Sequence, residues 1–373
     1  MNLVLYIPLI AVIILFVLNV YFHYRFWLPF LTYKDKTSIH NRGEQPVSVI
    51  LAARNEAENL QKFLPLLLGQ DYPDFEVVVV NHCSFDETAD VLKDFQAKYE
   101  RLKVVSIEEQ EKYPTGKKFA LTLGIKAAKN NILLLTDADC YPASNQWIRL
   151  MQRNYVDKTE IVLGFGAVEY EPTLLNFFIQ YDSVRTALDY LGRAIIHKPY
   201  IGIGRNLSYL RTLFFFHKGY VSHIKHPSGD DSLFVNQSAN KSNTRVCIEK
   251  ESFMYTTPQK TWKKWHGHKI EKCSSGRFLK GEHLSGLVFS SLIHMLYFPT
   301  LVYLIYVYRE EFMLLISGVT LAALILLNRW VFLVLAGRKL GEARFGWLLP
   351  IIDFVHPVFH LFWTLRGRFQ KNW

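Results

Sequence analysis

Cysteine is scarce in this chain. Its four copies, Cys83, Cys140, Cys247 and Cys273, form no C-x-x-C pair and no zinc-type spacing. That excludes a disulfide framework and reads as reduced thiols facing the cytoplasm. There is no internal repeat and no low-complexity tract, which excludes a repeat array. No nucleic-acid-binding module is recognisable, and the basic residues are spread along the chain, so the formal charge of +10 does not indicate nucleic acid. Charge is missing altogether from Asn2 to Phe22. That stretch also lacks a basic leader and a small-residue cleavage site before Arg25, which argues for a retained membrane helix rather than a cleaved signal.

Half of the residues are hydrophobic and 15% are aromatic, enough for one ordinary domain plus membrane segments. Residues 1–24 read as an N-terminal transmembrane helix. A second apolar stretch covers 284–308 and a third covers 312–336, separated only by Arg309, Glu310 and Glu311. They predict a helical hairpin within a C-terminal membrane region, 282–373. A further stretch, 347–363, carries Pro350, Asp353, His356, Pro357 and His360, and such a charged, kinked segment suits an interfacial or re-entrant position. Asp353, His356 and His360 share one helical face, so a His₂/Asp metal site is a minor reading there. Arg25, Lys34, Lys36, Arg338, Lys339 and Arg344 place the domain on the cytoplasmic side. A transporter would need more spans with polar residues at the midplane.

Residues 37–281 have the composition of a soluble domain. Val47 to Ala53 is a nearly unbroken apolar run, as in a strand covered on both faces. A helical spacing follows it, then a second buried strand from Phe75 to Asn81. Next come an amphipathic helix with Asp86 as N-cap, the short strand "KVVSI", the helix "GKKFALTLGIKAAK" and the strand "NILLLTDAD". Strands alternating with helices predict an α/β, doubly wound sheet, whose ligands bind beyond the carboxyl ends of the strands. Arg54-Asn55-Glu56, the Asn81–Asp86 turn and Asp137–Asp139 all fall at such ends.

Two carboxylates one residue apart after an apolar strand repel each other and lose water as a crevice closes. A divalent cation relieves both costs, and Mg²⁺ suits one or two carboxylates plus phosphate oxygens. Asp137 and Asp139 are therefore candidate ligands for Mg²⁺ or Mn²⁺ on a diphosphate. A helix-capping Asp beside a solvated Asp would explain the same spacing. Asp230 and Asp231, in "SGDDSLF", are candidates for a base that takes a proton from an attacking hydroxyl; a pair of capping carboxylates is the alternative. Trp262 and Trp265 lie three apart on a basic helical segment, about 258–281, that suits a membrane surface.

The segments "VSVILAARNEAENL", "VVVVNHCSFDETADVL", "GKKFAL", "LLLTDADC", "GIGRNLSY" and "SGDDSLFV" resemble, in order and spacing, membrane-bound family 2 glycosyltransferases of the GT-A fold. The resemblance runs from Pro46 to about Lys272. It implies an enzyme that transfers a sugar, with inversion, from a nucleoside-diphosphate sugar, UDP favoured, to a lipid or polyprenyl-linked acceptor at a bacterial inner membrane. It implies metal ligation by Asp137 and Asp139, nucleoside or phosphate contacts from Arg54, Glu56, Asn81, Asp86, Lys117 and Asp137, and an acceptor side near Asn206, Trp262 and Trp265. By the same resemblance Asp230 takes the position of the base, with Asp231 its rival. Three departures stand out. Asn81 and His82 replace leading carboxylates, Gly229 replaces a glutamate, and His268 to Lys272 replaces the Q-x-x-R-W motif. The last argues against processive synthesis and keeps open a degenerate scaffold that binds a nucleotide sugar or a partner enzyme.

Overall fold

The computed structural model describes residues 6–34, 43–108, 116–224, 226, 228–342, 346 and 349–369. Lys36, Arg344 and Arg42, the first residue of the expected Arg42–Gln45 linker, lie outside them. In chain order, α1 (Ile7–Phe22) passes through a π turn (His23–Trp27) into α2 (Leu28–Thr32). The first α/β units follow: β1 (Val47–Ala53), α3 (Ala57–Leu68), β2 (Phe75–His82), α4 (Thr88–Lys98), β3 (Leu102–Ile107), α5 (Lys117–Ala127) and β4 (Ile132–Leu135). Then come β5 (Cys140–Pro142), α6 (Trp147–Gln152), β6 (Ile161–Gly164), β7 (Gly166–Val168), the long α7 (Leu174–Ile195), β8 (Leu207–Leu210), α8 (Arg211–Phe216) and α9 (Ser232–Ser238). The remainder comprises β9 (Thr244–Cys247), β10 (Met254–Thr256), α10 (Trp262–Ser275), α11 (Gly281–Val307), α12 (Phe312–Leu340) and α13 (Leu349–Phe369).

The main sheet has the order β3-β2-β1-β4-β8-β6-β9. β1 runs parallel to β2 and β4, and β2 to β3, as the alternating pattern predicts. Helices cover this half on both faces, so β2 and β4 are buried at every position and β1 at all but one. The outer half departs from a purely parallel sheet. β8 returns after α7 and lies antiparallel to both β4 and β6. A smaller sheet, β5-β10-β7, begins directly after the D-x-D segment and props it from below. Because Ala53 pairs with Asn81, and Ile50 with Leu135, the three polar strand ends share one rim.

The expected N-cap of α4 shifts by one residue. Glu87 occupies that position without a side-chain cap, while Asp86 Oδ1 accepts from Thr88 N at 3.1 Å and Oδ2 from Ala57 N at 3.2 Å. Asp86 thus ties the starts of α3 and α4 together.

Ile7–Thr32 (26 residues) and Phe312–Leu340 (29 residues) are long and apolar enough to cross a membrane, and Met295–Val307 is a shorter apolar piece of α11. The helices occupy the expected hairpin positions, with Tyr308–Glu311 between them. α13 is one continuous helix despite Pro357. Its polar residues do not form a metal site. Asp353 accepts from Arg329 at 2.6 Å and from the Tyr181 hydroxyl, while His356 Nε2 meets Asp182 at 3.0 Å. Both groups already have partners from α12 and α7, which removes them from metal service.

The first helix also packs on the domain. A Cβ on Gly192 of α7 would stand 2.2 Å from the Phe26 carbonyl oxygen in the π turn. Only glycine permits that approach. Gly192→Ala is expected to lower stability by on the order of 1–3 kcal/mol, as overpacking does, read as a lower midpoint in thermal unfolding of the detergent-purified chain.

Candidate active site

The rim carries its charge in a chain. Lys117, the first residue of α5, places its ammonium 2.5 Å from Asp137 Oδ1 and 3.5 Å from Asp230 Oδ2. Burial works against both charged groups in the closer pair, and their attraction outweighs it. Lys117 is held well above the ordinary lysine range by Asp137 and then Asp230, and Asp137 is held below the ordinary carboxylate range by Lys117. Three sequence-distant segments therefore converge: the start of α5, the turn after β4 and the loop before α9.

Asp137, Asp139 and Cys140 each offer one ligand atom, all within 4.8 Å of one another. The thiol is a poor member of the set. Burial, then the charges of Asp139 and Asp137, push its pKa well up, so it stays protonated and lies 3.4 Å from Asp139 Oδ1 as a donor. Asp139 Oδ2 also accepts from Thr256 of β10 at 3.2 Å, which fixes its rotamer. The two carboxylates keep acceptor capacity toward a cavity and fit a hard divalent cation.

Asp231 is set by its backbone neighbours. It is the N-cap of α9; Oδ1 accepts from Ser232 N at 2.6 Å and Oδ2 from Gly204 N at 2.7 Å. Burial, and then the adjacent charge of Asp230, raise its pKa above the ordinary value. Gly229 explains the missing glutamate. Its φ is +85°, and a Cβ there would lie 2.8 Å from Leu233 and 3.0 Å from Ser275 of α10.

Lys118 is the functional residue that sequence reasoning passed over. It is 4% exposed, and its ammonium donates to the carbonyls of His223, His226 and Ser228, each at 2.8 Å. Burial pulls its pKa down to about 8 against the attraction of Asp230 and Asp231. One buried cation thus pins the loop that presents both aspartates. The twin lysines of "GKKFAL" were the available signal: consecutive residues at a helix start point in different directions.

Other expected residues separate. Glu56 is half-buried at the rim, bonded to Asn59 at 2.6 Å, and its pKa is raised by burial first and by Asp139, Asp137 and Asp86 after the opposing Asn59 bond. Arg54 is exposed beside it. Asn81 is 7% exposed, with an Oδ1 that has no partner among the described residues. Asn206 does not face an acceptor. It is fully buried, donating to Phe165 O and Ser252 O and accepting from Trp147 Nε1 at 3.0 Å, so no polar surface remains. The membrane-surface reading of Trp262 and Trp265 is also corrected. Trp262 packs against Phe178 of α7 and Phe359 of α13, and Trp265, 2% exposed, against Trp363.

A cavity of about 310 Å³ opens over these groups, bordered by Lys117, Asp137, Asp139, Asp230, Asp231 and Arg205. α10 closes one side of it with His268, Lys269 and Lys272, in the place of the missing motif.

Residues 48–213 match the family described as Glycosyl transferase family 2. Glycosyltransferase AglE of Haloferax volcanii is 38% identical over 126 residues, covering 33% of this chain and 40% of that protein. The poly-beta-1,6-N-acetyl-D-glucosamine synthase of Staphylococcus epidermidis is 32% identical over 138 residues, covering 37% of this chain and 32% of the synthase. The chain thus spans less than half the length of these relatives. Among solved structures, the mannosyltransferase PcManGT from Pyrobaculum calidifontis, in complex with GDP-Man and Mn2+, superposes over 93% of this chain and 99% of its own. The TM-score is 0.51 and the identity 16%, a likeness that speaks for the GT-A α/β fold.

Lys118→Met leaves three inward carbonyls without a donor. It is expected to cost on the order of 2 kcal/mol in thermal unfolding, while Lys118→Arg retains part of the loss.

Proposed function

We propose that this chain is a membrane-anchored, inverting, metal-dependent glycosyltransferase. It moves a sugar from a nucleoside-diphosphate sugar to a hydroxyl presented at the membrane on a lipid. The observation that carries the reading is the convergence of Asp137, Asp139, Lys117, Asp230 and Asp231 on one cavity at the sheet's carboxyl rim. Asp137 and Asp139 would hold a divalent cation, which supplies positive charge for the departing diphosphate. Lys117 stands beside it as a second cation for phosphate oxygens. Asn81, whose buried Oδ1 has no partner among the described residues, suits the edge of a pyrimidine, which favours UDP.

We assign the base to Asp231, with Asp230 as the neighbour that raises its basicity. Asp231 takes the proton of the acceptor hydroxyl. The hydroxyl oxygen forms the new bond to the sugar's anomeric carbon on the face opposite the breaking bond, and the nucleoside diphosphate leaves with the bonding pair. The bonds from Gly204 N and Ser232 N aim the carboxylate. Membrane placement is supported by the two long apolar helices, whose C-terminal ends carry Arg25 and Lys34 in one case and Arg338 and Lys339 in the other. Those ends and the domain lie on the cytoplasmic side of the plasma membrane, with the Arg309–Glu311 turn opposite.

With UDP-sugars and Mn²⁺, Asp139→Asn is expected to abolish metal-dependent binding of UDP, measured by calorimetry. Asp231→Asn is expected to lower kcat by about 10²–10⁴-fold while leaving UDP affinity near its starting value. Deprotonated Asp231 is the active form and its pKa is raised. kcat/KM therefore rises with pH along a limb lying above the ordinary aspartate value of about 3.9. In Asp230→Asn that limb moves to lower pH, because the like charge is gone. Absence of turnover with every donor, together with absence of metal-dependent nucleotide binding, would leave a non-catalytic scaffold.

A further inference from the structure

A second cavity, about 260 Å³, lies beside the first, against the end of α1. Its walls come from the end of the first membrane helix (Phe22 and Trp27), from α7, from the 200–203 segment and from α10. The two cavities share Gly229, Asp231, Ile203, Lys269 and Lys272, so they meet at the assigned base.

The charged groups in this second cavity are unevenly partnered. Its carboxylates are already engaged. Asp182 is held by Lys269 at 2.7 Å and by His356 at 3.0 Å; Asp189 is held by Arg193 at 2.9 Å and by the Tyr200 hydroxyl. Asp231 accepts its two backbone bonds. The cations are not matched in the same way. Arg185 meets only the imidazole Nδ1 of His356, at 3.3 Å, among the described residues, whereas Lys272 makes no direct ion pair there but is attracted by Asp231 and Asp137. Because Arg185 has no lone pair to give, His356 Nδ1 is the acceptor there and Nε2–H donates to Asp182, so that imidazole is neutral and cancels no charge. Trp27 adds an indole N–H that is 2% exposed and has no acceptor among the described residues. Among the described residues, one guanidinium without an anion and one orphaned indole N–H thus line a chamber whose opposite wall is the end of the first apolar helix. An anion with an apolar tail satisfies each of these features, whereas a neutral lipid leaves Arg185 unpaired.

We propose that this cavity binds the phosphate of a phosphorylated lipid acceptor, with Arg185, Lys272 and the Trp27 N–H on the phosphate oxygens. The lipid tail leaves along Phe22 toward the bilayer, and the hydroxyl-bearing part of the headgroup reaches Asp231. The acceptor role rests on the transfer reaction proposed above; the binding specificity is measurable without it.

The test uses the full chain in neutral detergent micelles and titration calorimetry with dodecyl phosphate, dodecanol and inorganic phosphate. Dodecyl phosphate is expected to bind at least about tenfold more tightly than either other probe. Arg185→Met and Trp27→Phe are each expected to weaken it, the former by about tenfold, and Arg185→Lys to restore part of the loss. Lys263→Met, which removes a charge from the exposed side of α10, is expected to change nothing. Arg185 borders only this cavity, so UDP binding with Mn²⁺ is unaffected in Arg185→Met. Equal binding of dodecanol overturns the phosphate assignment, equal binding of inorganic phosphate overturns the lipid, and indifference to Arg185 and Trp27 overturns the site. If dodecyl phosphate behaves as expected while UDP and Mn²⁺ do not bind, the ligand class stands and the transfer reaction falls.

Discussion

Asp137, Asp139 and Asp230 crowd one rim of a sheet, and the ammonium of Lys117 among them is what makes the crowding tolerable. Attraction at 2.5 Å to Asp137 and at 3.5 Å to Asp230 offsets the repulsion that the carboxylates would otherwise exert on one another. The rest of the site follows from holding that cation in place. α5 must begin where it does, β4 must end at Leu135, and the loop before α9 must return to the same edge. Lys118 secures the last of these from the other side, inside the protein, so neighbouring residues divide the work between charge and scaffold.

Much of this was legible in the chain because the physics is local. The unbroken apolar runs of β1, β2 and β4 require a sheet covered on both faces, and parallel alternation then sends their polar ends to one rim. D-x-D after the last of them marks the site without any knowledge of distant contacts. The same reasoning fails where the decisive partner is remote. Asn206 looks like a hydrogen-bonding residue at a glycine-rich turn, yet Trp147, Phe165 and Ser252 use its whole amide. Trp262 and Trp265 have the spacing of a membrane-surface helix, but their rings meet α7 and α13. Lys118 was invisible for the same reason: its acceptors lie more than a hundred residues away.

The missing Q-x-x-R-W motif gains a physical setting. α10 still closes one side of the rim cavity, but through His268, Lys269 and Lys272, and it does so from between two chambers. Lys269 is tied to Asp182 and through it to His356 of α13. α10 is therefore fastened through α7 to α13.

The ion pair between Arg329 and Asp353 also limits how the helices can move against one another. Arg329 sits 2% exposed, where a guanidinium without a partner would be a costly buried charge. Its anion comes from α13, and the phenol that shares that anion belongs to α7, far upstream. A single carboxylate thus rivets α12, α13 and the domain's long helix together, so a shift of any one of them breaks a contact to that charge.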